Sequence, residues 1–440
     1  MDASTTRSSQ RLDGRFVSLN LNVRGMGPSA TLAIKERCRA LRAQGRRIYD
    51  FGLGQSPFPV PTPVVEALRR AAHEKDYLPV KGLPALREAV AEFHRRKEGV
   101  PAQAEHVLIS PGSKELMFLL QLVYYGEIIL RTPCWVSYLP QAQIIGRRVT
   151  LIPTTFEGGW KITPENLMWV LVGANDDGRP RLLVLNYPMN PTGHSYTVDE
   201  LRDLAEVARR YNLIVLSDEI YGQLHFRSEH VSIARFCPER TIISSGLSKW
   251  CGAGGWRLGT FTFPPDLSWL LDAMSAVASE TYTSVSAPIQ HAAVEAFRCG
   301  VEIERYLWQV RRILSALGAS CVRTLQEGGA RVVPPVGAFY LFPDFSPLAD
   351  RLARRGVLTG ADLAGRLLDE TGAAVLPGSD FGRPAEDMTA RLSYVDFDGS
   401  QALAAGETIP LDQELPPDFL SQHCPNVLEG VQRIASWVAG

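Results

Sequence analysis

Residues 181–222 read RLLVLNYPMNPTGHSYTVDELRDLAEVARRYNLIVLSDEIYG. The stretch opens on an apolar run, RLLVLNYP, that stops at a proline turn. VDELRDLAEVARRYN follows with apolar residues at helical spacing, and LIVLSDE is a second apolar run. Neither run alternates between apolar and polar. Near-continuous apolar strands separated by helices are what a parallel sheet covered on both faces requires, since each of its faces must be apolar. The pattern extends in both directions, with further strand candidates in HVLISPG (106–112), EIILRTP (127–133), RVTLIP (148–153), TIISSG (241–246) and LGTFTFP (258–264). In an open sheet of this kind ligands gather outside the carboxyl ends of the strands. Polar and small residues fall there: Ser110 to Ser113, Pro133 to Trp135, Asn186 to Asn190, Ser217 to Tyr221 and Ser244 to Lys249. Five strand ends of this character imply one shared site.

Outside this block the pattern changes. Residues 1–14 are polar and read as a flexible arm. SATLAIKERCRALRAQG reads as an amphipathic helix closed by Gly45, and RRIYDFGLGQSPFPVPTP as a strand running into a Gly/Pro-rich turn. VEIERYLWQVRRILSALGASCVRTLQEGG (301–329) is long enough to bridge two domains. After it come a hairpin around PPVGAFYLFP, a helix in GADLAGRLLDETG, and strands in AAVLPG and ARLSYVDF. The expected fold is α/β, a three-layer sandwich with a mostly parallel central sheet in a large domain (61–300). A smaller α+β domain is expected from the N-terminal segment (15–60) and the C-terminal third (301–440).

The chain of 440 residues is 45% hydrophobic and 21% charged with a net charge of −1, an ordinary globular balance that offers nucleic acid or an anionic membrane no attraction. Its seven cysteines are dispersed with no C-x-x-C pair, which suits reduced thiols in the cytoplasm. The N-terminus lacks the apolar core of a secretory signal, and no apolar stretch is long enough to span a bilayer.

Several chemistries are absent from the sequence. There is no P-loop, no H-E-x-x-H and no G-x-S-x-G. GLGQSP places Pro57 where a dinucleotide turn needs its third glycine, and the dispersed histidines offer no metal site. What remains is SPGSKELMFLL, a glycine–serine turn opening a helix, together with SSGLSKWCGAGGWRLGT (244–260), one lysine followed eight positions later by an arginine. Backbone N–H groups near Ser113 and Lys114 make an anion site, and Arg257 adds a charged clamp to the same phosphate. A desolvated lysine traps an aldehyde as a Schiff base. Pyridoxal phosphate needs this set: an aldehyde trap, a phosphate cradle, a carboxylate for the ring nitrogen and a support for the ring.

NYPMNPTG, SDEIYGQL and SSGLSKWCGAGGWRLG, in this order, resemble the fold-type I, class I/II pyridoxal-phosphate aminotransferases, the aspartate aminotransferase family, over about residues 30–440. The resemblance implies that Lys249 carries the cofactor and shuttles the proton, and that Asp218 pairs with the pyridinium nitrogen. Tyr221 and Asn190 would bind the phenolic oxygen, with Trp135 (in PCWVSY) stacked on the ring. Ser113, Lys114 and Arg257 would bind phosphate, joined by Tyr77 from a partner subunit, which implies a homodimer. Arg391 would grip the substrate α-carboxylate, with Asn186 and Gly54 beside it. The implied reaction moves an amino group from an amino acid to a 2-oxo acid in a ping-pong cycle. The same constellation also serves elimination, oxidation or carbon–carbon bond formation through a quinonoid intermediate, and the sequence leaves that alternative open.

The chain departs from the family pattern at Gly246, where many members carry a phosphate-binding serine; Ser245 or Ser248 is expected to compensate. ALAAGETIPLDQELPPDFLSQHCPN reads as an extended, acidic segment covering part of the small domain. In one subgroup of aspartate aminotransferases a lysine at the GSKEL position contacts the distal carboxylate of dicarboxylic substrates. Lys114 matches it, and SETYTSVSAP (279–288) resembles a loop of that subgroup. Aspartate or glutamate with 2-oxoglutarate is therefore the expected substrate pair.

Overall fold

A computed structural model describes residues 10–12, 15–17, 19–173 and 179–440. All seven strand candidates join one sheet: β1 (Val107–Ser110), β2 (Glu127–Thr132), β3 (Val149–Pro153), β4 (Arg181–Asn186), β5 (Ile214–Asp218), β6 (Thr241–Gly246) and β7 (Gly259–Thr262). Their order is β1-β7-β6-β5-β4-β2-β3. β2, β3, β4, β5 and β6 pair in parallel, while β7 runs antiparallel to both of its neighbours, β1 and β6.

The unbroken apolar runs are explained by where alternate residues go. Leu182, Val184, Ile214, Leu216 and Ile242 pack under the helices Ser113–Val123, Tyr138–Ile145 and Ser268–Thr281. Leu183, Leu185, Leu213 and Val215 pack on the other face under Pro164–Gly173 and Val198–Arg210. Each such leucine or valine contributes about 1.5–3 kcal/mol on burial, so both faces need their helices. The helix Val198–Arg210 starts on a capping box: Thr197 accepts from the Glu200 N–H, and Glu200 accepts from the Thr197 N–H at 2.8 Å.

The long helix Val301–Glu327 shares one core with Pro84–Phe93, the strand Ala390–Ser393 and the C-terminal helix Pro425–Ala439. The helix Ala30–Ala43 buries Cys38 against Ile48, Leu368 and Ala374, and Tyr49–Asp50 pairs in parallel with Ala373–Ala374. Ala390–Ser393 is the middle strand of a small sheet, flanked antiparallel by Tyr340–Leu341 and Leu376–Pro377.

Three expectations change. The hairpin around PPVGAFYLFP reduces to a single bridge, Arg331 to Asp344, because Tyr340–Leu341 pairs with Ala390–Ser393 instead. Residues 401–425 are not extended throughout: they begin in the helix Gly399–Glu407 and end at Phe419–His423. The loop between is fastened by Arg312, which donates to the carbonyls of Gly406, Ile409, Pro410 and Gln413. Of the N-terminal arm, Gln10–Leu12 pairs antiparallel with Arg15–Val17, while residues 1–9, 13 and 14 lie outside the described residues. Among the described residues no helix is long and apolar enough to cross a membrane.

Candidate active site

Strand register sets the centre of the site. Asn186 at the end of β4 lies opposite Asp218 at the end of β5, which lies opposite Ser244 in β6. Asp218 shares the parity of Ile214 and Leu216, so it faces the Ser113–Val123 and Tyr138–Ile145 side of the sheet. It is 3% exposed. Its Oδ2 accepts the Tyr138 hydroxyl at 2.5 Å, and its Oδ1 is buried with no partner among the described residues. Burial raises its carboxyl to about 6, against the opposing pull of Tyr138 and the weaker pulls of the nearby Ile220 N–H and Ser244, neither of which meets hydrogen-bond geometry with it.

Lys249 hangs from the loop after β6, and its Nζ donates to the Gly54 carbonyl at 2.6 Å. It lies 5.7 Å from the centre of the Tyr221 ring and 5.9 Å from that of Phe339. Burial, and then the cations Arg391 and Arg257, bring its amine down to about 8. An amine there is deprotonated far more often near neutral pH than an ordinary lysine, which makes it a competent nucleophile.

The phosphate side is built from close approaches. Gly112, at φ +92°, precedes the helix Ser113–Val123, and a Cβ on it would lie 2.2 Å from Arg257 Nη2. A Cβ on Gly259 would lie 2.0 Å from the Ser113 nitrogen. Only glycines let the helix N-terminus, β7 and the arginine converge, and the product is a ring of N–H donors beside a guanidinium. Arg257 takes a left-handed φ of 54° and donates to Gly254 O at 3.0 Å and Pro111 O at 3.1 Å. At Gly246 the backbone has closed in on the missing side chain: a Cβ there would meet Leu258 O at 2.7 Å. Ser248 is part-buried beside Lys249. Ser245 is placed otherwise than expected: strand alternation puts it on the sheet face away from Asp218, with Ser244 on the Asp218 side.

Trp135 and Lys114 stand together, with the Lys114 ammonium 5.2 Å from the Trp135 ring centre. Arg391 is 1% exposed and lies between the rings of Tyr340 and Phe381. It donates to Asn190 Oδ1 at 3.3 Å and to the Gly52 carbonyl, and its Nε is buried without a partner among the described residues. Tyr221 and Tyr340 share a hydroxyl–hydroxyl bond of 2.7 Å. Asn186 uses its amide inside the protein, donating to Asp218 O at 2.9 Å and accepting the Asn190 N–H at 2.8 Å, so it shapes the Asn190 turn. Gly54 meets the site through its carbonyl, and a Cβ on it would lie 2.0 Å from the Tyr340 hydroxyl. Tyr77 is 90% exposed.

A family model for aminotransferase class I and II matches residues 46–401. The chain belongs to the class I and II aminotransferases. It is 35% identical over 387 residues to the aspartate/prephenate aminotransferase of Thermus thermophilus, covering 86% of this chain and 94% of that protein. To the aspartate aminotransferase of Geobacillus stearothermophilus it is 34% identical over 390 residues, again 86% of this chain and 94% of the other. The Thermus thermophilus aspartate aminotransferase solved with maleate superposes at TM-score 0.80 with 30% identity, covering 96% of this chain and 99% of that one. The fold is the α/β fold of these enzymes, the activity is amino-group transfer, and the cofactor is pyridoxal 5′-phosphate.

The residues fit that cofactor on their own geometry: an orphaned carboxylate oxygen for a ring N–H, a glycine-lined cradle for a phosphate, and an amine of depressed basicity between them. Two members of the constellation were not singled out in the sequence. Tyr138, three residues after Trp135 in PCWVSY, opens a helix and reaches Asp218. Tyr340, in VGAFYLF, read as part of a hairpin, and its proximity to Tyr221 is a long-range contact that no local pattern signals.

Proposed function

We propose that this aminotransferase accepts dicarboxylic substrates of the aspartate and glutamate kind, with 2-oxoglutarate as acceptor, in a homodimer whose sites are shared. Pyridoxal phosphate, when bound, supplies an aldehyde for an amine to condense with and a ring that draws electrons from the substrate Cα. Lys249 Nζ, with its lowered basicity, is the amine that would hold the cofactor and would take and return a proton at the substrate Cα. Asp218 Oδ1 would hold the proton of the ring nitrogen, while Tyr138 fixes the other oxygen. Ser113, Lys114, Ser248 and Arg257 anchor the phosphate, Trp135 supports the ring, and Tyr221 and Asn190 bind its phenolic oxygen. Arg391, already buried and aligned by Asn190 and Gly52, orients the substrate carboxylate as a planar fork.

The observation that carries the substrate reading is Lys114. It stands exposed over the Trp135 ring, on the face of the site where a second carboxylate would meet it. The aspartate aminotransferases among its relatives point the same way, and the Thermus thermophilus enzyme was solved with maleate, a dicarboxylate. The exposure of Tyr77 supports the dimer, since a side chain reaching a partner's phosphate has no place to pack in its own chain. The test compares Lys114→Ala with the wild type on aspartate and alanine. A larger loss of kcat/KM for aspartate is expected, by about 10-fold; equal losses would assign Lys114 to phosphate alone.

A further inference from the structure

Directly behind Asp218 lies a second set of ionisable groups for which the reaction described above has no use. Glu219 is 3% exposed and Glu98 5%, and His94 is fully buried. The set is two hydrogen-bonded pairs brought side by side. His94 Nδ1 pairs with Glu98 Oε2 at 2.6 Å, and His230 Nε2 pairs with Glu219 Oε2 at 2.8 Å. Glu98, Glu219 and His230 each bring one such atom within 4.8 Å of the others. Two carboxylates facing two imidazoles balance in charge, which a buried set must do to be tolerated. Burial alone would push both imidazoles down; Glu98 and Glu219 respectively outweigh it and hold them above their ordinary value.

The set grips the strand ends that carry the site. Glu219 Oε1 accepts the hydroxyls of Ser217 and Ser232 at 2.6 Å each and that of Tyr187 at 3.3 Å. The Tyr187 oxygen in turn accepts the Ile233 N–H at 2.8 Å, and the Tyr187 N–H donates to Asp218 O at 3.3 Å. The Glu219 N–H reaches Ser244 O at 2.9 Å, closing β5 onto β6. Asp218 is therefore flanked in sequence by Ser217 and Glu219, both fixed on the rear face. The outermost link, His94 to Glu98, sits on a single π-helical turn, His94–Glu98, at the end of the helix Pro84–Phe93, an irregularity that recurs at functional sites.

We propose that the buried chain His94–Glu98–Glu219–His230 is a positioning element that aims the free Asp218 oxygen at the cofactor ring. The inference rests on the cofactor reading of the site, and the experiment separates the two. The probes are 4-deoxypyridoxine 5′-phosphate, which has the ring and phosphate but no aldehyde to react with Lys249, and inorganic phosphate alone. Dissociation constants are measured by fluorescence on folded protein for the wild type, His230→Gln, Asp218→Asn and the double variant. The expected result is a loss of about 10-fold or more in affinity for the ring compound in His230→Gln, the scale on which groups holding a ligand side chain from behind act. Phosphate affinity should stay unchanged, and the loss should vanish when His230→Gln is made on top of Asp218→Asn. A loss of the same size with and without Asp218, or no loss in a variant that merely melts earlier, would reduce the chain to core packing and overturn the proposal. If His230→Gln does not fold, His94→Gln at the far end of the chain gives the same reading. A wild type that binds phosphate but shows no added affinity for the ring compound would overturn the cofactor reading and this inference together.

Discussion

At the end of β5 two adjacent carboxylates live in opposite circumstances. Asp218, on the cleft side, has one oxygen held by Tyr138 and the other left without a partner among the described residues. Glu219, one residue on and facing the rear, accepts from Ser217, Ser232, Tyr187 and His230. Both are buried, yet their basicity moves in opposite directions. Burial raises Asp218 to about 6, whereas the charge and hydrogen bonds of His230 outweigh burial at Glu219 and hold it below the ordinary range. The contrast extends to the cations. Arg391 keeps a buried Nε unpartnered and Lys249 rests on a single backbone carbonyl, while His94 and His230 each meet a carboxylate through one ring nitrogen and keep the other, Nε2 and Nδ1 respectively, buried without a partner among the described residues. The difference lies in charge: each rear carboxylate has an imidazole beside it, whereas the free oxygen of Asp218 and the Nε of Arg391 face the side where a ligand is to meet them.

This contrast predicts which face governs rate and which governs stability. Lys249→Ala should lower turnover by about 10⁴-fold or more in steady-state assays, at or beyond the upper end for one positioned proton-transfer group, with little change in melting temperature. A variant that keeps most of its turnover would break the assignment of the front face. Arg391→Lys keeps the charge but loses the planar fork, and should lower kcat/KM by about 100-fold, mostly through KM. A loss confined to kcat would move Arg391 from substrate binding to the chemistry.

The smallest effect belongs to the rear face and concerns pH. His94 faces Glu98, Glu219 and His230; His230 faces Glu219, Glu98 and His225. Both imidazoles have folded-state values above the unfolded value of about 6.5. Their contribution to stability is therefore complete below about pH 6.5 and is lost as pH rises through the raised folded values. Glu219 works in the other direction, contributing above its ordinary value of about 4.3 and losing that contribution as pH falls through its lowered one. The melting temperature should fall by about 2–4 °C as pH rises above this range. The fall should flatten in Glu219→Gln/His230→Gln, read by scanning calorimetry. An unchanged slope would place the alkaline loss elsewhere.

The sheet was legible in the sequence because its strands are buried on both faces, and unbroken apolar runs such as RLLVLN and IVLSD leave no other reading. The lysine loop and the phosphate turn were legible because their chemistry-bearing residues stand in short contiguous motifs, although the contacts that require Gly112 and Gly259 are with Arg257 and Ser113, far away in the chain. What the sequence hid depends on distant partners. Tyr340 meets Tyr221 across 119 positions, and the two-residue strand that carries it is defined only by Ala390–Ser393, so a local hairpin was the natural expectation. Ser245 was expected at the phosphate because it neighbours Gly246, but strand alternation turns it to the other face, a consequence of register rather than of composition. The rear chain was hidden for the same reason: His94, Glu98, Glu219 and His230 are spread over three elements, and each reads alone as an ordinary polar residue.

The most direct test of the front-face account is to reduce the pyridoxal phosphate complex with borohydride, digest it and locate the fixed cofactor by mass spectrometry. Lys114 is the internal control: although its side chain is exposed overall, partial desolvation and then Arg257 lower its basicity too, and it stands over the Trp135 ring. The account predicts the cofactor on the peptide containing Lys249 and on no other. Recovery of it on Lys114, or spread over several lysines, would contradict the assignment of Lys249 as the reactive amine.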